Sequence, residues 1–117
     1  MKLYHATNYE NVKSILENGF DLKKVKIRFI NGYAISFMDN LNRLKQYFGN
    51  SINKLAILQV DFNGKIEDST NLKNISGANY IDYTNKLIRI GKIDAVRLND
   101  GLVYVYNISK ISNIELI

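Results

Sequence analysis

Apolar residues along this chain recur at two spacings, and the switches between them mark out the elements. Lys2 to Ala6 reads as a short strand. Tyr9, Val12, Ile15 and Leu16 then fall on one helical face. The Thr7-x-x-Glu10 spacing predicts a capping box at the start of that helix. Gly19 predicts its end, and Phe20 is placed to fold back on the last turn. The stretch Leu22 to Arg28, carrying Lys23, Lys24, Lys26 and Arg28, reads as a basic loop or irregular strand, and Asn31-Gly32 is a turn signal. A short apolar strand, Ala34 to Met38, leads to a second helix that starts at Asp39 or Asn40. It carries Leu41, Leu44 and Phe48 on one face and ends at Gly49. Leu55 to Phe62 is a strand, and Asn63-Gly64 predicts a tight hairpin into Lys65 to Glu67. Residues 68 to 79 are polar and read as a surface loop, Tyr80 to Ile90 as a third helix. Asp94 to Leu98 and Leu102 to Tyr106 are strands around Asn99-Asp100-Gly101, and Ile111 to Leu116 closes the pattern as a strand.

The order is strand, helix, strand, helix, then mostly strands, which is an α+β pattern rather than a regular βα alternation. A chain of 117 residues, 46% of them hydrophobic, is one domain with a core of its own, spanning 1–117. No internal repeat or linker divides it.

Composition removes several functional classes. There is no cysteine, hence no disulfide scaffold, no Cys-ligated zinc and no thiol nucleophile, and the chain is expected in a reducing, cytoplasmic setting. A single histidine leaves little from which to build a metal site, so no metal is expected. No apolar run reaches the roughly 18 residues of a membrane span, and the first ten residues lack an apolar signal core. The net charge is +5, yet 12 of the 16 basic residues are Lys, and Asn and Ile number 16 each. Those three residue types share AT-rich codons, so the charge reflects composition as readily as a nucleic-acid partner. The chain has no G-x-G-x-x-G after a strand, no P-loop and no G-x-S-x-G around Ser36.

His5, the only histidine, is the residue with most to say. It stands at the end of the first strand, directly before a helix start, where backbone N–H groups and the positive end of a helix dipole gather. An imidazole there can form a polar wall for a ligand; it can equally be a buried side chain tying one strand to its neighbour.

Four segments together carry a family likeness: Leu3-Tyr4-His5-Ala6-Thr7; Ile15-Leu16-Glu17-Asn18-Gly19-Phe20; Gly32-Tyr33-Ala34-Ile35-Ser36-Phe37-Met38-Asp39 with Leu44-Lys45-Gln46-Tyr47; and Ile93 to Gly101 between its two strands. This set resembles the ADP-ribosyltransferase fold in its poly(ADP-ribose)-polymerase-like branch, and is similar to small bacterial and phage members such as the ADP-ribosylating anti-CRISPR proteins. The resemblance implies two small packed antiparallel or mixed sheets with two or three helices, and an NAD site between them. It implies a mono-ADP-ribosyltransferase, with NAD as substrate and no metal, that modifies a protein of a host or defence complex as a phage effector, toxin or anti-defence protein. It assigns His5 to a ribose, the Ala6 backbone to the nicotinamide carboxamide, Thr7 to the pocket wall, Ser36 and Phe37 to the slot of a Tyr-Phe pair, and Tyr47 to stacking on the nicotinamide. Asp100 takes the place of the catalytic acid.

A carboxylate there would stabilise the oxocarbenium character that develops as the nicotinamide–ribose bond breaks. The basic stretch Lys23 to Arg28 is either a solvated face or a clamp for the NAD pyrophosphate or an acidic target, with Arg28 the best candidate because a guanidinium binds phosphate through two bonds. Tyr33 can replace the stacking surface lost at Ser36. The chain departs from the family at three points: Ala6 stands for Gly, Ser36 for Tyr and Asp100 for Glu. These departures leave open a second reading, a catalytically inactive domain that blocks a partner or holds an NAD-derived nucleotide. A nucleic-acid target is a third, resting on the charge. The protein is expected as a monomer or homodimer, away from membranes. Each assignment has a plainer counterpart. Asp-Gly is an ordinary turn dipeptide, and Phe37 and Tyr47 can simply be packed.

Overall fold

A computed structural model describes residues 1–24, 28–29 and 32–117, with the backbone alone for 28, 29, 32 and 33. The strands are β1 (Lys2–Thr7), β2 (Arg28–Phe29), β3 (Gly32–Tyr33), β4 (Ile35–Met38), β5 (Ala56–Phe62), β6 (Ile66–Asp68), β7 (Ala95–Arg97), β8 (Leu102–Val105) and β9 (Ile111–Leu116). The helices are α1 (Tyr9–Asn18), α2 (Leu41–Phe48), α3 (Ser69–Ser76) and α4 (Tyr80–Arg89). The architecture is α+β, built on a seven-stranded mixed sheet in the order β6-β7-β8-β4-β1-β5-β9, with β2 and β3 as a separate ribbon. Only the β6–β7 pair is parallel. No helix among the described residues is long and apolar enough to cross a membrane.

β5 and β9 shift register between Gln59 and Asp61, and the sparsest join in the sheet is that of β1 with β4. β1 and β5 match at six positions and β4 and β8 at four, but β1 and β4 meet only at Tyr4 and Met38. Two half-sheets, β6-β7-β8-β4 and β1-β5-β9, are therefore joined edge to edge by a single rung. This corrects the expectation of two sheets packed on one another.

Alternation decides which face each residue serves. Along β5 every second residue, Ala56, Leu58, Val60 and Phe62, is buried. Leu3, Phe37, Val103 and Val105 join that face, covered by Val12 of α1 and by Phe20. The opposite face over β7 and β8 carries Val96 and Tyr106, covered by Leu72 of α3 and by Leu87 and Ile88 of α4.

Several local expectations hold. Gly19 ends α1 at φ 78°, its N–H donating to the Ile15 carbonyl, and Phe20 is buried behind it. Asn40 caps α2 by accepting from the Arg43 N–H. β7 and β8 form the expected hairpin, closed by Leu98 N–H to the Leu102 carbonyl at 2.7 Å.

Others do not. Thr7 belongs to β1, and Asn8 caps α1 without a side-chain bond, so the capping box is absent. Thr7 Oγ1 instead accepts from Asn11 Nδ2. Residues 69–76 form α3 rather than a loop. The helix is held by one deeply buried side chain, Leu72, too little apolar periodicity to read from the sequence. With α3 the described residues form four helices.

Asn63-Gly64 makes no hairpin, since β5 pairs with β1 and β9 while β6 pairs with β7. The glycine is needed for space. A Cβ at Gly64 would overlap the Phe62 ring and come 2.9 Å from Asp94 Cβ. Asp94 pins this crossover from the other side, its carboxylate accepting from the Lys65 N–H at 2.8 Å and from Asn107 Nδ2 at 3.0 Å. Lys26 of the basic stretch and Asn31 of the predicted turn lie outside the described residues; Leu22–Lys24 form a 3-10 turn.

Candidate functional site

The broken ladder between β1 and β4 is where His5 sits. Its Nδ1 donates to the Ser36 carbonyl at 2.7 Å, so a side chain takes the place of a missing backbone rung. Because a carbonyl only accepts, this bond puts the ring proton on Nδ1 and leaves Nε2 with a bare lone pair. Burial lowers the His5 pKa below its ordinary value of 6.5, and the Ser36 bond only partly opposes this, so the ring is neutral at pH 7. Two phenyl rings hold its plane: Phe20 edge-on at 5.2 Å and Phe37 tilted at 5.4 Å. The imidazole is thus a fixed, uncharged hydrogen-bond acceptor at the split, suited to receive a hydroxyl or amide proton.

Two cavities meet at His5. The first, about 230 Å³, lies between α2 and the strands β1, β4 and β8, and is lined by His5, Ala6, Ser36, Phe37, Tyr47 and Tyr104 among others. The second, about 240 Å³, lies beside α1, where Thr7, Asn11, Ser14, Phe20, Asp21 and Lys24 surround the ring. Each is below the roughly 300–1,000 Å³ of pockets that enclose a drug-sized ligand.

Past Tyr4, the edge of β1 facing β4 has no strand partner among the described residues. Ala6 stands on that edge, beside the first cavity. Tyr47 is 63% exposed at the cavity mouth, its ring packed edge-on against Phe48 at 5.2 Å, and can lay a face on a planar ligand. Phe37 is 1% exposed and belongs to the core as much as to the site, as its plainer reading held.

Five of the residues assigned by resemblance, His5, Ala6, Ser36, Phe37 and Tyr47, therefore share one cavity, and Thr7 shares His5 with the other. Asp100 lines neither. Its carboxylate accepts from the Leu102 N–H at 3.2 Å, within its own turn. Tyr104, which lines the first cavity, has a raised pKa, first from burial and then from Tyr47 and Asp100. The side chains of Arg28 and Tyr33 lie outside the described residues; their backbones pair with each other across β2 and β3.

The site also uses residues that the sequence reading passed over. Leu102 and Tyr104 of β8, with Leu44 of α2, complete the first cavity, and no carboxylate is among the residues lining it. Tyr104 stands opposite Ser36 in the β4–β8 register, so a period-of-two count from Ser36 would have found it once the two strands were known to pair. No group of three or more potential metal-ligating residues exists among the described residues. Comparison with known proteins matched no family model, no curated protein and no solved structure.

Proposed function

We propose that this chain is an ADP-ribosyltransferase-type domain that holds NAD across the split in its sheet and passes ADP-ribose to a protein target. One observation carries the reading: the residues expected to hold nicotinamide and its ribose line one cavity beside the join where β1 and β4 pair only at Tyr4 and Met38. In this reading Tyr47 stacks on the nicotinamide, the Ala6 edge meets its carboxamide, and His5 Nε2 accepts from a ribose hydroxyl. The rest of the dinucleotide continues into the cavity beside α1, where Lys24 and Asn11 offer donors. Asp100 is the acid in this reading, and reaches the sugar by giving up its bond to the Leu102 N–H. The setting is a bacterial cytoplasm, with a host or defence protein as target.

A second reading, nucleotide binding without transfer, is favoured by the lack of a carboxylate in the cavity lining and by the bond of Asp100 to its own turn. One experiment separates the two. The protein is titrated with NAD while thermal stability and nicotinamide release are followed, for the native chain and for Asp100→Ala. Stabilisation with release that Asp100→Ala abolishes supports transfer. Stabilisation without release supports the second reading. No stabilisation at millimolar NAD refutes both.

A further inference from the structure

The two outer edges of the main sheet are built differently. β6 is three residues long, carries Glu67 and Asp68, and runs directly into α3. Short, charged edges resist pairing with other chains. β9, at the other edge, is six residues long and has β5 as its only strand partner among the described residues. From Ile111 to Ile117 it holds no Pro or Lys and a single charge, Glu115. Its inner side is fixed on β5: the Ile117 N–H donates to the Ile57 carbonyl and the Asn63 N–H to the Lys110 carbonyl, each at 3.0 Å. Facing alternates along an antiparallel ladder, so Leu116 turns its N–H and C=O outward. Ile111 turns its carbonyl the same way, while its N–H donates to Ile108. Leu116 stands opposite the buried Leu58, on the face that α1 covers, yet is itself about half exposed, as is Ile117. Asn113, at φ 50°, sits where the register shifts, and its side chain turns back to donate to Asp61 Oδ2 at 2.7 Å.

We infer that β9 pairs antiparallel with β9 of a second copy of this chain, joining the two sheets into one. The edge complements itself. About a two-fold axis between Asn113 and Ile114, Leu116 meets Ile111 of the second copy, and the irregular residues of both strands fall together at the axis. Leu116 and Ile111 lie opposite Leu58 and Phe62 of β5, on the buried side of the sheet, so apolar side chains meet apolar ones. On the other side Glu115 meets Ser112 of the second copy, which sets it diagonal to that copy's exposed Lys110. Opposite charges on such a diagonal attract, and two-fold symmetry makes the contact twice. β5 separates β9 from β1, so both cavities at His5 lie away from this interface, and the inference is independent of any ligand there.

The test is sedimentation velocity on the full chain from low micromolar to submillimolar concentration. The native chain is expected to move from the mass of one chain toward that of two, and hydrogen exchange at the Leu116 amide to slow over the same range. Leu116→Lys puts a charge on the apolar side of the edge and is expected to weaken the dimer roughly tenfold or more. Ile81→Lys, on the exposed side of α4, is expected to leave it unchanged. Glu115→Lys and Lys110→Glu each set like charges on the diagonal and are each expected to weaken self-association roughly three- to tenfold. Mixed in equal amounts, those two variants face each other with opposite charges and are expected to regain the dimer. A merely structural effect of either substitution would not be relieved by mixing. The two charge variants lie at exposed positions, so they keep the test decisive if Leu116→Lys fails to fold. A single-chain mass at every concentration, a dimer that Leu116→Lys and both charge variants leave intact, or single charge variants whose mixture stays monomeric would each overturn the inference.

Discussion

Replacing His5 by Phe tests whether a side chain truly closes the gap in the sheet. The substitution keeps an aromatic ring against Phe20 and Phe37, so little volume is lost. It removes the 2.7 Å bond to Ser36 and leaves that carbonyl without its donor. A neutral hydrogen bond contributes about 0.5–1.5 kcal/mol, and a stranded acceptor costs about 1–3 kcal/mol. A loss of about 2–3 kcal/mol is therefore expected. At roughly 4 °C per kcal/mol for a domain of this size, the melting temperature should fall by about 8–12 °C. The pH dependence is a second signature. His5 binds its proton less readily when folded than when unfolded, because burial disfavours the charged ring. Above about pH 6.5 neither state is protonated and the residue adds no slope. Below it, the unfolded chain takes up a proton that the folded one refuses, so stability falls with acid until the lowered folded pKa is passed. As the only histidine, His5 is the side chain whose ordinary pKa falls in that window. Denaturant unfolding at steps from pH 7.5 to pH 5 should show this slope in the native chain and lose it in His5→Phe. A variant as stable as the native chain, or one that keeps the same slope, would refute the placement of the imidazole as the missing rung.

Three further outcomes follow from the geometry. Tyr47→Ala should leave stability within about 0.5 kcal/mol, since the residue is exposed, yet weaken NAD by about five- to tenfold through loss of stacking, as read by calorimetric titration. Gly64→Ala should destabilise by about 2–3 kcal/mol in urea unfolding, because the added methyl meets the Phe62 ring and Asp94 with no room to move. Asp94→Ala strands the Lys65 N–H and Asn107 amide and should cost about 3 kcal/mol. In the native chain burial pushes the Asp94 pKa up, but the Lys65 amide and Asn107 more than offset this, and the net value is lowered. Its contribution is therefore present above the ordinary carboxylate pKa and fades as pH falls below about 4, a loss that Asp94→Ala should lack.

The fold was legible wherever one segment carries its own instruction. The Gly19 stop, the α2 start at Asn40, one of the two residues expected, the β5 strand and the β7–β8 hairpin depend on neighbours a few residues away, and each forms as read. The misreadings share a non-local cause. Asn63-Gly64 is a strong hairpin signal, but the glycine answers to Asp94, thirty residues on, and the chain crosses over to pair β6 with β7. α3 depends on Leu72 finding the surface of β7 and β8, which no count along residues 68–79 contains.

The site follows the same division. That His5 ends a strand is written locally; that its strand loses its partner there is written in the pairing of β1 with β4, thirty residues away. The split makes the histidine informative, because an intact ladder would have supplied the Ser36 carbonyl with a backbone donor and left the ring free to pack. The same split uncovers the edge at Ala6, so one missing set of backbone bonds both fixes the imidazole and exposes the strand that a ligand can complete. Asp100 illustrates the limit of carrying roles over by position. The turn that brings it near β8 also engages its carboxylate, and the side chains that reach the cavity from that strand are Leu102 and Tyr104. Its charge therefore stays in the turn, outside the lining of either cavity at His5.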